Sequence, residues 1–139
     1  MATLPSGLPD IVADDEDLAR FLTQSSHFNK IMAKPAAFLP NPKDCETSVS
    51  RHGREPLDRL WEIGVAAAGT RNLHGASIFK ARVVRMAKLE VLASEPPPHH
   101  AVICGWPWIE NDPELQKAQQ KELAAVIASA AGQPLLREA

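Results

Sequence analysis

A chain of 139 residues is long enough for one domain with its own core and too short for two comfortable ones. Hydrophobic residues make up 45% and charged residues 23%, which is the composition of a globular protein rather than a disordered one. The net charge of −2 indicates no particular partner, and the sequence pI of about 6.2 argues against a general nucleic-acid coat. The apolar runs fall short of the roughly 20 residues that a membrane span needs.

The cysteine usage and the N-terminus point to one cellular compartment. Cys45 and Cys104 form no CxxC pair, so two free thiols in a reducing compartment are expected. The first residues lack the basic and apolar regions of a secretory signal. We therefore predict a cytoplasmic protein without membrane contact.

The first third of the chain is interrupted by prolines. Residues 1–13 are predicted to be a flexible tail, and the acidic residues 14–17 predict the start of a short helix that buries Leu18, Phe21 and Leu22. Residues 36–39 lie between prolines, which favours a short edge strand or extended segment. Residues 46–51 alternate and contain β-branched side chains, so they predict a strand.

Residues 56–68 carry the clearest helical pattern. Pro56 suits the first turn and Gly69 the position just past the end. Apolar residues recur every three or four positions, and Trp61 on that face is expected to anchor the core. Residues 70–75 are predicted to form a loop.

The next segment has an ambiguous period. Ser77 is a possible cap for a helix that carries Phe79, Val83, Met86 and Ala87 on one side. Residues 88–92 alternate as a strand, a triple proline ends it, and residues 101–104 are expected to form a buried strand that pairs with residues 89–92.

A long C-terminal helix completes the pattern. Asp112 is its predicted N-cap, Pro113 its first residue and Gly132 its stop. Its predicted inner face consists of Leu115, Ala118, Leu123, Val126, Ile127 and Ala130. Together these elements predict a single α+β domain over residues 14–131, with a small, mainly antiparallel sheet, two principal helices packed on it and a frayed tail over residues 132–139.

Charge is distributed unevenly along the chain. No acidic residue occurs between Ile63 and Leu89, a window that holds Arg71, Lys80, Arg82, Arg85 and Lys88. Such a basic segment is typical of an anion or nucleic-acid contact. The alternative is that counter-charges reach it across the fold, and the acidic residues 14–17 are candidates for that role.

Histidines supply the candidate acid–base groups, because imidazole titrates near neutrality. His27 and His100, with Arg51 and Lys34 to hold an anion, are candidates for chemistry on a phosphate or ester. His99 and His100 would point to opposite faces of a strand, so His100 is expected inside and His99 outside. No metal-ligand spacing is present, and no metal site is predicted.

Other catalytic and nucleotide-binding motifs are missing from the sequence. Neither a G-x-S-x-G elbow nor a glycine-rich phosphate loop occurs, so no cofactor is predicted. Cys104 is expected to be a small core residue. Trp106 and Trp108 flank Pro107 and could stack on a base or peptide, whereas the alternative is that one of them closes the core and the other is exposed as an interaction site.

Several short segments of this chain resemble a loose group of small, uncharacterised bacterial and mobile-element proteins that carry no assigned activity. The segments are SHF at 26–28, KPAAFLP at 34–40, SVSR at 48–51, LWEIG at 60–64 and HAVICGWP at 100–107. The resemblance implies no cofactor and no catalytic residue. It suggests that Lys34, Ser50, Arg51 and His100 lie on one side of the molecule.

Two functions from different classes follow from these patterns. The first is a non-catalytic binding module that contacts a protein or nucleic acid through its tryptophans and basic segment, with the binding residues Trp106, Trp108, Lys34, Arg71, Lys80, Arg82 and Arg85. The second is a small enzyme for a phosphorylated or nucleotide-like substrate. If His27, Lys34, Arg51 and His100 converge in one pocket, the enzyme is favoured.

Overall fold

The computed structural model describes residues 2–52 and 55–137. Its strands are β1 (Asp17–Leu22), β2 (Thr47–Arg51), β3 (Gly75–Lys80), β4 (Glu90–Ala93), β5 (His100–Cys104) and β6 (Leu135–Leu136). Its helices are α1 (Leu57–Ala68), α2 (Ala81–Met86) and α3 (Pro113–Ala131), and two 3-10 helices span Ser25–His27 and Pro35–Phe38. No helix among the described residues has the length and apolar character needed to cross a membrane.

The six strands form one antiparallel sheet in the order β4-β5-β2-β1-β3-β6. Side chains alternate across the strands, so the sheet has two distinct faces. Leu18, Phe79 and Ile103 belong to the larger apolar cluster, which also contains Phe38 and Ile127. The predicted α+β class with a mainly antiparallel sheet is therefore confirmed.

Helix α1 packs on the opposite side of the sheet, against a smaller apolar cluster. Leu60 of α1 packs there with Ala19 and Ala76, and Trp61 is half-buried beside them. Gly64 permits this close approach, because a Cβ at that position would lie 2.7 Å from Cε1 of Phe21. The larger cluster and α1 thus cover opposite faces of the same central strands.

Residues 17–22 are a strand rather than the predicted helix. The apolar residues of β1 fit both the helical spacing of three to four residues and a strand, because this central strand buries side chains on both of its faces. Pairing with β3 over its whole length and with β2 over part of it decides the outcome. Tertiary hydrogen bonding overrides the helix signal of the preceding acids.

Two further local predictions were wrong. The segment around Ala36 forms a 3-10 helix with Pro35 in its first turn, not an extended strand. Ser77 caps no helix but lies buried within β3, and α2 begins only at Ala81. Near the C-terminus, Leu135 and Leu136 pair with β3, a pairing that the sequence analysis did not predict.

The predicted end of α1 and the predicted start and end of α3 are confirmed. Gly69 follows α1 with φ of 63°, and Gly132 follows α3 with φ of 69°. The Asp112 carboxylate accepts a hydrogen bond from the backbone N–H of Leu115, as an N-cap should. The predicted pairing of β4 with β5 is also present.

The inner face of α3 is narrower than its sequence suggested. Ile127 is buried as predicted, together with Ala124 and Ala128, which were not predicted. Of the other predicted residues Leu123 is partly buried, and four are exposed: Leu115, Ala118, Val126 and Ala130. The fully buried residues of α3 all lie in its second half, so the apolar pattern of the whole helix overstated its contact with the core.

Candidate functional site

A cleft of about 420 Å³ lies between α1 and the sheet. Ligand pockets typically enclose about 300–1,000 Å³. Strands β1, β2 and β5 supply residues of its floor, while α1 and the Pro97–Pro98 loop supply its walls. The size of the cleft therefore suits a small molecule.

Ser50 and His100 lie side by side on the floor of this cleft. They are direct partners in the β2–β5 ladder. The backbone N–H of Arg51 donates to the His99 carbonyl at 2.7 Å, which makes Ser50 and His100 a non-hydrogen-bonded pair. Side chains approach most closely in such pairs, where the Cα atoms are about 4.5 Å apart.

The ring of His100 is held in one orientation. Its Nδ1 lies 2.9 Å from the carbonyl oxygen of Ser94. A carbonyl can only accept, so Nδ1 carries a proton and Nε2 of the neutral ring is left as an acceptor. Ser50 is only 4% exposed, and its Oγ has no hydrogen-bond partner among the described residues. The floor thus holds a fixed imidazole and an unsatisfied hydroxyl.

Two arginines give one part of the cleft a positive charge. Arg20 donates from Nε to the Ala37 carbonyl at 2.7 Å and from Nη1 to the Ser48 carbonyl at 2.8 Å. Arg71 donates to the carbonyls of Ala67 and Ala68 at the end of α1. Within the part of the chain that the structure describes, neither guanidinium forms an ion pair with a carboxylate.

Burial and the neighbouring positive charge disfavour the charged form of Arg20. Burial, with a further contribution from the charge of Arg71, lowers the pKa of Arg20 to about 10. A third arginine on the cleft wall, Arg59, is neutralised by Glu62 at 3.0 Å. The cleft therefore keeps two positive charges that the surrounding protein does not compensate.

Arg51 does not hold an anion as predicted, because Glu16 already occupies its guanidinium. Arg51 is 1% exposed and binds both carboxylate oxygens of Glu16, at 2.6 and 2.9 Å, while Nη1 donates to the Pro9 carbonyl. It follows Ser50 on β2, so its side chain points to the opposite face of the sheet. Its role is structural.

The four residues expected to converge in one pocket do not do so. His27 ends the first 3-10 helix and Lys34 is the exposed N-cap of the second, and neither lines the cleft. Burial, followed by the charge of Arg20, lowers the pKa of His27. Of the four, His100 alone lines the cleft, and the expectation that Lys34, Ser50, Arg51 and His100 share one side was wrong.

The adjacent histidines differ from the prediction, since His99 was expected outside and His100 inside. His99 is 7% exposed, and its Nε2 lies 3.2 Å from the Glu55 carboxylate. The prediction assumed strand alternation through both residues, whereas β5 begins at His100 and His99 has φ of 70°. His99 is therefore buried, and His100 is the half-buried residue that lines the cleft.

Two of the five cations of the basic segment are paired with acids from elsewhere in the chain. Lys80 pairs with Asp17 at 2.9 Å, and Arg85 pairs with Asp14 at 2.6 Å and Glu90 at 2.7 Å. The alternative interpretation, in which the acidic residues 14–17 face this segment, is confirmed. The remaining cations of the segment divide between the cleft and the exposed surface, with Arg71 in the first and Arg82 and Lys88 in the second.

The two tryptophans differ in environment, as one of the alternatives predicted. Trp106 is 5% exposed, packs in the larger apolar cluster and donates from Nε1 to the Ile103 carbonyl. Trp108 is 59% exposed. A partner-binding role for Trp108 stays a prediction.

The cysteines are free thiols in half-buried positions. Burial, together with nearby carboxylates, raises the pKa of both Cys45 and Cys104, so the reactive thiolate is disfavoured. Across residues 2–52 and 55–137, no group of three His, Cys, Asp or Glu side chains is arranged to hold a metal ion.

Arg20 is the site residue that the sequence analysis missed. It lies between Ala19 and Phe21, in a stretch that is otherwise apolar. A charged residue within such a stretch is seldom buried without a purpose, and this was the available signal. Comparisons with family models, curated proteins and solved structures find no match to this chain.

Proposed function

We propose that the protein binds a small anionic ligand in the cleft beneath α1, with Arg20 and Arg71 holding the negative charge. The supporting observation is that these two arginines line the cleft and that their guanidiniums have carbonyl partners but no carboxylate partner among the described residues. Guanidinium groups present paired donors that match phosphate and carboxylate oxygens.

The arginines are positioned before a ligand arrives. Backbone carbonyls of Ala37 and Ser48 hold Arg20, and those of Ala67 and Ala68 hold Arg71. A ligand would therefore meet ordered donors and lose little affinity to side-chain ordering. It would also relieve the repulsion between the two cations. Binding should consequently stabilise the folded protein.

A titration with inorganic phosphate, followed by backbone and arginine Nε signals in NMR spectra, tests this proposal. We expect saturable shifts at Arg20 and Arg71, at constant ionic strength set with chloride. Arg71→Gln should weaken phosphate binding by about 10-fold or more, because it removes a charged donor worth roughly 1.5–3 kcal/mol.

Arg82→Gln is the matched control, since Arg82 is an exposed arginine of the same basic segment outside the cleft. It should leave the phosphate affinity unchanged. The proposal fails if phosphate causes no saturable shifts in the wild-type protein, or if both variants weaken binding equally.

A second candidate function is hydrolysis of a phosphate ester in the same cleft, and the fixed ring of His100 favours it. Nε2 of His100 would accept a proton from water as the water oxygen bonds to phosphorus. The ester P–O bond would break, and the proton would pass to the leaving alcohol, so that inorganic phosphate and alcohol are the products. His100→Gln should then abolish release of phosphate from phenyl phosphate while phenyl phosphate still binds.

A further inference from the structure

The polarity of the cleft lining changes along α1, from charged at both ends to apolar in the middle. Six residues of this helix line it, and all but Ala68 follow the spacing of a single helical face: Arg59, Glu62, Ile63, Ala66, Ala67 and Ala68. The Arg59–Glu62 ion pair lies towards the N-terminal end, and Arg71 binds the carbonyls at the C-terminal end. Ile63, Ala66 and Ala67 form an apolar stretch between them.

Apolar residues from other parts of the fold also line the cleft. Phe21 belongs to β1, while Pro97 and Pro98 belong to the loop before β5. The alanines of α1 project little into the cleft, so they leave space where longer side chains would fill it. An apolar surface in a cleft gains free energy when it is covered by an apolar group.

The volume of the cleft exceeds the needs of an inorganic ion. The cleft measures about 420 Å³, which lies within the range of about 300–1,000 Å³ that is typical of pockets for organic ligands. An inorganic anion bound by the two arginines would fill only a part of this cleft. The remaining space adjoins the apolar stretch.

The charge of the site distinguishes between anions. Arg20 and Arg71 contribute two positive charges, whereas Arg59 and Glu62 cancel each other. A phosphate monoester carries about −1.5 to −2 charges at pH 7, and a single carboxylate carries one. Arg71 also covers the last carbonyls of α1, which would otherwise repel an anion. The charge therefore matches a phosphate monoester.

From these observations we infer that the ligand is an organic phosphate monoester, with its phosphoryl group between Arg20 and Arg71 and a compact apolar body against Ile63, Ala66 and Pro97. This inference rests on the proposed function and names its ligand class. The Ser50 hydroxyl, buried at the floor and unpartnered among the described residues, is available to a polar group of the same ligand after a small rearrangement.

Affinities for inorganic phosphate, phenyl phosphate and phenol test the inference, measured with the full chain by NMR titration. Phenyl phosphate should bind at least 10-fold more tightly than inorganic phosphate, because its ring covers apolar surface at roughly 25 cal/mol per Å². Phenol, which has the ring without the charge, should bind more weakly than phenyl phosphate by a similar factor.

Ala66→Leu would fill the apolar part of the cleft from an exposed helical position that tolerates leucine. It should lower the affinity for phenyl phosphate by more than the affinity for inorganic phosphate, and so reduce the preference for phenyl phosphate. Val65→Leu is the matched control, because Val65 is exposed on α1 and does not line this cleft. It should preserve the preference.

The possible failures are distinct. Equal affinities for phenyl phosphate and inorganic phosphate in the wild-type protein would overturn the inferred ligand class and leave the anion site standing. A full preference in Ala66→Leu would overturn the placement of the apolar body. Absence of binding by both anions would overturn the proposed function as well.

Discussion

Replacement of Glu16 by alanine is expected to lower the free energy of unfolding by about 3–5 kcal/mol, because it leaves the buried Arg51 charge without its carboxylate. Arg51 is 1% exposed and Glu16 is 13% exposed, and both carboxylate oxygens are bound. A loss of this size is a large fraction of the roughly 5–15 kcal/mol that stabilises a typical domain.

Chemical denaturation with urea, monitored by tryptophan fluorescence, measures this loss. In thermal unfolding it should appear as a melting temperature lower by roughly 10–15 °C. The control is Arg59→Gln, which breaks an ion pair whose side chains are 46% and 66% exposed. That change should cost less than about 1 kcal/mol.

A double variant separates the buried charge from the rest of the interaction. Glu16→Leu combined with Arg51→Met removes both charges, so it should be more stable than Glu16→Ala alone. If Glu16→Ala lowers the free energy of unfolding by less than about 1 kcal/mol, other groups, for instance the Pro9 carbonyl, compensate the buried charge of Arg51.

Phe38→Ala is expected to destabilise the protein by about 3–5 kcal/mol, the usual cost of a large aromatic cavity. Phe38 is fully buried, and its ring meets that of Phe79 edge to face with centroids 5.7 Å apart. The 3-10 helix that carries Phe38 packs against α3. Its loss removes a contact that joins these elements over the sheet.

This substitution should also weaken anion binding, because the neighbouring Ala37 carbonyl orients Arg20. Equilibrium unfolding and the phosphate titration together measure both effects. Ile31→Ala is the control, since Ile31 is 77% exposed in the turn between the two 3-10 helices and should change the stability by less than about 0.5 kcal/mol. A loss below about 1 kcal/mol for Phe38→Ala would mean that the core closes around the cavity.

Local signals in the sequence predicted a substantial part of the fold. The ends of α1 and α3 follow from a proline, an aspartate and two glycines that act on atoms a few residues away. The β4–β5 pairing follows from two apolar segments joined by a short proline-rich turn. These features depend on neighbouring residues, so a single sequence contains the necessary information.

The site was predicted less well because its residues come from distant parts of the chain. His100 was named as an acid–base candidate and Arg71 as a binding residue, and Ser50 was named through the resemblance. Arg20 was missed. Arg51 was predicted to bind an anionic ligand, but its guanidinium binds the carboxylate of Glu16, which lies 35 positions earlier in the sequence. The sequence contains both arginines, but it does not indicate which group each guanidinium binds in the folded protein.

The sequence alone established a single α+β domain, its capped helices and the uneven distribution of its charges. The tertiary structure decided that the residues after the acidic run join the sheet as β1, that those acids neutralise Lys80 and Arg85, and that Arg20 and Arg71 stay uncompensated. The physical reason is that pairing, burial and charge compensation are long-range, whereas caps and turns satisfy backbone groups within a few residues.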